Sequence, residues 1–273
     1  MGRLVIADLL NKVPASGIIA CVRNREKTKD LAASGVEVRV ADYNEPLAWD
    51  DALKDATKVL LISSSEVGQR VKQHRSVIDA AKRMGVKLLA YTSVLRCDTS
   101  PLGLAREHKE TEFMIWASGV PFTLLRNSWY MENYLPGIAK ALAQGALYGC
   151  AGQGRVAAAS RADYAEAAAL VLTSENQAGK IYELAGDMAF TMAELAAEIS
   201  RQSGKNIGYV NMTEAEYKAV LVKAGLPEPF AALYADSDAG IAKNALFDDG
   251  HQLSKLISRP TITLAAAVAG VMK

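Results

Sequence analysis

Arg23 closes the apolar run Ile18 to Val22, and its place there has a definite chemical reading. At the carboxyl end of the second strand of a dinucleotide-binding sheet, an acidic residue bonds the ribose hydroxyls of NAD, whereas an arginine accommodates the 2′-phosphate of NADP. Arg23 therefore points to NADPH. Arg25, Lys27 and Lys29 could add positive potential, although Lys27 and Lys29 read better as a solvated helix start. Ser63, Ser64 and Ser65 directly follow the run Leu60–Leu61–Ile62. Small hydroxyl residues at a strand's carboxyl end let a nucleotide pass close to the backbone and offer adaptable hydrogen bonds. A serine-rich turn capping the next helix explains the same residues.

Two further groups face the same layer of strand ends. Asn127, Ser128, Trp129, Tyr130, Met131 and Glu132 follow the strand Pro121 to Leu125. Polar Asn127 beside Trp129 and Tyr130 suits a wall around a flat nicotinamide or quinone ring, and aromatic closure of the core suits Trp129 equally. His108 starts a helix and is the candidate catalytic group, against the commoner structural role of a lone histidine. A tyrosine with a lysine four residues on would form a proton-donating pair. Tyr91 is followed by Leu95 and Tyr130 by Tyr134, and no other tyrosine has the lysine either. That pair is absent.

Positioning these residues requires alternating strands and helices. The periodicity predicts helices over 4–12, 26–34, 46–54, 69–84 and 104–117, alternating with strands over 18–22, 36–40, 58–62, 86–91 and 121–125. Gly35, Gly85 and Gly119 are the expected helix stops. Such alternation builds a parallel α/β sheet, doubly wound and Rossmann-like, because each parallel crossover needs a helix. Beyond Asn127 the rhythm loosens. Helices are expected over 161–172, 191–202 (opened by a Thr191–Glu194 capping box) and 214–223, with strands over 180–184 and 209–211. The expected division is a cofactor-binding domain over 1–127 and a smaller α+β substrate-side domain over 128–273, some of whose segments return to the first sheet.

A dinucleotide-binding unit begins with a strand and a glycine-rich turn, and its first helix then faces the pyrophosphate. Here the first helix begins almost at once, with Gly2 where the last glycine of that turn would fall. The expectation is a sheet lacking its first, central strand, so that two interior strands lose a neighbour. Either the polypeptide starts upstream or is truncated, or the sheet has another order.

Composition narrows the class. The 273 residues are half apolar and carry a formal charge of +1, which gives no field directed at nucleic acid or an anionic membrane. Three scattered cysteines form no CxxC and fit a reducing compartment, the cytoplasm. The three histidines lack metal-ligand spacing, so no metal is expected. No apolar run approaches the length of a membrane span.

The assembled motifs resemble the NmrA-like branch of the atypical short-chain dehydrogenase/reductases. The resemblance rests on Val22-Arg23-Asn24, Ala41-Asp42-Tyr43, the segment Leu60 to Arg70, Tyr91-Thr92-Ser93 and the segment Thr123 to Asn127. Ser100 to Ala105 and Tyr182 to Asp187 extend it over nearly the whole chain. It implies a Rossmann domain with a small C-terminal domain, NADPH as hydride donor and small-molecule quinones as acceptors, in a monomer or homodimer. Implied cofactor contacts are Gly2, Arg23, Ser63 to Ser65, Asn127 to Glu132 and Arg155. Some relatives place a catalytic lysine near the position of His108. Without a tyrosine–lysine pair, water or a modest donor can complete protonation of a reduced quinone, whose anion is weakly basic. A non-catalytic NADP-sensing regulator and an inactive truncated form are the competing expectations.

Overall fold

The computed structural model describes residues 1–272. In chain order its helices and strands are α1 (Gly2–Leu10), β1 (Ile19–Val22), α2 (Lys29–Ala33), β2 (Glu37–Val40), α3 (Ala48–Ala52), β3 (Lys58–Leu61), α4 (Arg70–Arg83), β4 (Leu88–Val94), α5 (Ala105–Ser118) and β5 (Phe122–Asn127). There follow α6 (Ile138–Gln144), β6 (Ala146–Gly149), α7 (Arg161–Thr173), β7 (Lys180–Leu184), α8 (Met192–Ser203), β8 (Gly208–Asn211), α9 (Glu214–Lys223), α10 (Glu228–Ile241), α11 (Gln252–Ile257) and α12 (Leu264–Val271). None of the described helices is long and apolar enough to cross a membrane.

The chain divides into two compact units. The first comprises residues 1–94, 107–126 and 164–182, and the second comprises 95–106, 127–163 and 183–273. The units interleave along the sequence, and residues 164–182, beyond the expected boundary at Asn127, belong to the first unit. The chain leaves the first unit after β4 and comes back within α5.

The first unit carries the parallel α/β layer. β3, β4, β5 and β7 form one sheet in that order, and β3 and β4 run parallel with Lys58 opposite Leu88. β1 and β2 form a separate parallel pair with Ile19 opposite Glu37. Trp49, Val77, Ile78, Leu89, Tyr91 and Ile115 belong to one buried cluster that joins α3, α4 and α5 to the sheet. The glycine stops fall where the helices end: Gly85 and Gly119 have φ of 65° and 74°, a left-handed turn that a Cβ would strain.

β1 and β3 are not joined. Between them lies a cavity of about 710 Å³, lined by Ile19 and Cys21 of β1, Leu60 of β3, Ile62 just beyond it, and Val5 and Leu9 of α1.

In the second unit β6 and β8 pair in parallel, with Ala146 opposite Gly208. The capping box of α8 is complete: Thr191 Oγ1 accepts from the Glu194 N–H and the Glu194 carboxylate accepts from the Thr191 N–H. α10, α11 and α12 lie beyond the last element expected from periodicity.

Candidate functional site

The turn after β3 is built from beneath, through its backbone. The Ser63 N–H donates to Thr92 Oγ1 at 2.8 Å and the Ser64 N–H donates to His74 Nε2 at 3.0 Å. Arg70 Nε donates to the Ser64 carbonyl at 2.6 Å, and the Gly68 N–H donates to Glu107 Oε1 at 2.9 Å. His74 is fully buried, and its Nε2 lone pair is needed as an acceptor. The ring proton therefore sits on Nδ1, which donates to Thr111 Oγ1 at 3.0 Å, and Thr111 Oγ1 in turn donates a hydrogen bond to the Glu107 carbonyl at 2.8 Å. Burial, reinforced by the positive Arg70, pushes the His74 pKa down to about 4 and keeps it in this neutral form.

The three serines consequently differ. Ser64 is buried and its hydroxyl accepts from the Glu66 N–H at 3.1 Å, so it shapes the turn. Ser63 is half-buried and Ser65 exposed, leaving their hydroxyls for a ligand. Arg23, exposed just past β1, reaches Glu66 Oε1 at 3.1 Å, and Gln73 Nε2 holds the other Glu66 oxygen at 2.7 Å. Arg23 and the serine turn are thus brought together through one carboxylate. Gly2 lies at the same edge: a Cβ on it would stand 3.5 Å from the Ile62 side chain. The first turn of α1 has neither a capping side chain nor an acidic residue, and the Leu4 and Val5 N–H groups donate to the Met1 carbonyl at 2.9 and 3.1 Å.

His108, next to Glu107 of α5, is buried in the first unit beyond His74 and Tyr91, whose rings lie 5.4 Å apart. Its Nδ1 is 2.7 Å from the hydroxyl of Tyr91, which is wholly buried. Burial, with the positive Arg70 adding to it, lowers the His108 pKa to about 3. Nearby, Ser93 Oγ donates to Glu112 Oε1 at 2.5 Å, and Arg126 forks onto the same carboxylate at 3.0 and 2.7 Å. This ion pair is nine-tenths buried on both sides.

In the second unit the segment after β5 is ordered by its own contacts. Asn127 is buried, and its Nδ2 finds no hydrogen-bond partner. A buried amide donor left unpaired costs about 1–3 kcal/mol, so it is a natural point for a ligand acceptor. Ser128 has spent its hydroxyl on the Leu246 carbonyl at 2.8 Å. Trp129 and Tyr130 are half-buried, and the guanidinium of Arg161 lies 4.6 Å over the Tyr130 ring. Met131 is buried, and Glu132 accepts from the Arg161 N–H at 2.9 Å. Arg155 is exposed; it donates to the Ala189 carbonyl and lies 3.7 Å from the Glu194 carboxylate.

Sequence reasoning missed His74, Arg70, Glu107 and Arg161. A signal for the first two was available. Arg70 and His74 stand four apart on α4, the helix that follows the serine turn, and so share the face that looks back at it. Among the described residues no group of three His, Cys, Asp or Glu side chains is placed to hold a metal.

The NmrA-like family model matches residues 1–239. Quinone oxidoreductase 2 of Escherichia coli (strain K12) is 55% identical over 269 residues, spanning 98% of this chain and 94% of that protein. The crystal structure of an NADPH-dependent quinone oxidoreductase from Escherichia coli complexed with NADPH superposes with a TM-score of 0.98 at 54% identity, covering 100% of this chain and 96% of that one. A Citrobacter sp. triphenylmethane reductase complexed with NADP(H) gives 0.95 at 39% identity, covering 99% and 96%. The parallel layer, the arginine past β1 and the serine turn are therefore those of a chain that belongs to the NmrA-like family.

Proposed function

We propose that this chain is an NADPH-dependent oxidoreductase that delivers hydride to quinones. The carrying observation is the exposed guanidinium of Arg23 beside the Ser63–Ser65 turn, in a chain 55% identical to a quinone oxidoreductase. The residues fit the cofactor: an accessible guanidinium for a 2′-phosphate, uncommitted serine hydroxyls, an uncapped helix start and the orphaned Asn127 Nδ2. Arg23 and the Ser63–Ser65 turn lie in the first unit, and Asn127, Trp129 and Tyr130 lie in the second. When bound, NADPH supplies the hydride, and the protein's contribution is binding and orientation.

Each residue then has a limited task. Arg23 exchanges Glu66 for the phosphate and so selects NADPH over NADH. Ser63 and Ser65 hydrogen-bond along the nucleotide, and the Asn127 amide donates to a ligand carbonyl. Trp129 and Tyr130 exclude water and offer flat surfaces. Tyr91 and His108 are closed off from the surface, and His108 is held in its neutral, uncharged form at neutral pH, so protonation of the reduced quinone falls to solvent. Cys21, Cys97 and Cys150 are thiols rather than halves of disulfides, which suits the cytoplasm.

Steady-state kinetics with a small quinone test this. Arg23→Ala should lower kcat/KM for NADPH by about 10–100-fold, the loss of a charged hydrogen-bonding partner, and leave NADH unchanged. An equal loss with both cofactors would remove the phosphate assignment.

A further inference from the structure

Glu66 is held more firmly than a surface carboxylate ordinarily is. Its N–H donates to Ser64 Oγ at 3.1 Å and its carbonyl accepts from the Gln69 N–H at 3.0 Å, so its backbone is fixed on both sides. Gln73 Nε2 donates to Glu66 Oε2 at 2.7 Å and to Asn44 Oδ1 at 3.3 Å, while Arg23 Nη1 donates to Glu66 Oε1 at 3.1 Å. Gln73 is 1% exposed, and its own Oε1 has no hydrogen-bond partner among the described residues. Turning the amide round would not help, because a carboxylate only accepts and must face the NH2 group. A buried acceptor left unpaired is costly, and here it is tolerated in the one orientation that anchors Glu66.

The two members of the Arg23–Glu66 pair are therefore unequal. Arg23 is the more exposed side chain, 66% against 43%. When its guanidinium turns to a phosphate, Glu66 stays where Ser64, Gln69 and Gln73 hold it. A fixed carboxylate at this place acts in opposite directions on the two nicotinamide cofactors. A 2′-phosphate brings negative charge toward it, and repulsion of this kind is a common source of discrimination. A bare 2′-hydroxyl brings a donor instead, and acidic side chains accept from ribose hydroxyls in NAD sites. The bond to an ionised acceptor is the stronger kind, and Arg23 keeps its partner while it forms.

We propose, on the reading of Arg23 as the residue that meets the ribose, that Glu66 is a specificity-determining residue acting as its counterweight. The Glu66 carboxylate accepts from the ribose 2′-hydroxyl of NADH, so that the chain takes NADH as a second hydride donor, and it weakens the hold on NADPH.

Calorimetric titration of the full chain with NADPH and with NADH, without any quinone, tests this by binding alone. Glu66→Gln keeps the size of the side chain and removes its charge. It should tighten NADPH by about three- to tenfold and weaken NADH by about the same factor, moving the ratio of the two Kd values by about 10–100-fold. Glu66→Ala, which removes the acceptor altogether, should weaken NADH at least as far. The gain in NADPH affinity should shrink in about 0.5 M sodium chloride, where exposed charges are screened. Three results would each overturn the proposal: both cofactors shifting in the same direction in Glu66→Gln; NADH affinity unchanged in both variants; or no NADH binding by the unaltered chain. Arg23→Ala reports separately on the reading beneath. Equal loss with both cofactors removes the phosphate assignment, whereas loss confined to NADPH, with an unmoved ratio in Glu66→Gln, removes the role of Glu66 alone.

Discussion

The two sides of the first unit's sheet are made of similar residues and are buried very differently. On one side β4 lies between β3 and β5, and all seven of its residues, Leu88 to Val94, are buried, Tyr91, Thr92 and Ser93 included. On the other side β1 reads Ile-Ala-Cys-Val with only Ala20 buried, and β3 alternates buried and half-buried positions. Ile19 and Leu60 are no less apolar than Leu88 and Leu89. Burial here follows the presence of a neighbouring strand, and hydrophobicity alone does not secure it.

The closed side also carries polar groups, and this makes it the more vulnerable to acid. His74 and His108 are held neutral in the fold, with pKa values near 4 and 3 against about 6.5 when unfolded. Because the unfolded chain binds more protons, stability is full above pH 6.5 and falls as pH drops from 6.5 toward 4. At pH 4 the two rings together should cost on the order of 6 kcal/mol, seen as a falling urea midpoint, and His108→Gln should roughly halve the slope. A flat midpoint over that range would dissolve the contrast between the sides.

Next in size is the ion pair within the closed side. Arg126→Met leaves the buried Glu112 carboxylate with Ser93 but without its guanidinium, and should destabilise by about 3–5 kcal/mol in denaturant unfolding. Glu66→Gln at the exposed Arg23–Glu66 pair should cost under about 1 kcal/mol. The sharpest comparison uses one substitution twice. Leu89→Ala, fully buried in β4, should lose about 2–5 kcal/mol, whereas Leu60→Ala beside the cavity should lose about 1 kcal/mol, since less burial is forfeited there. Equal losses would mean that the cavity-facing side is as tightly packed as the other.

The layered α/β order was legible because period and punctuation agreed as far as Asn127: apolar runs of four to six residues alternated with helical stretches closed by Gly35, Gly85 and Gly119. α10 was not legible. Its buried residues are Ala231, Ala235, Ser237, Asp238, Gly240 and Ile241, of which only the last is a large apolar side chain, so no apolar stripe can be read. In the site, Arg23 and the serines could be found because they sit at strand ends. Their supports could not: the Glu112–Arg126 fork and the Gly68–Glu107 bond join residues 14 and 39 positions apart, and nothing local encodes such distances.

The way the serine turn is fastened bears on how the protein can change. Its shape depends on main-chain atoms gripped by Thr92, His74 and Arg70, while the side chains of Ser63 and Ser65 take no part in the grip. Form and chemistry are thereby uncoupled at this loop. Either residue can be exchanged for another small polar group to retune what the tip recognises, with the scaffold that presents it left standing.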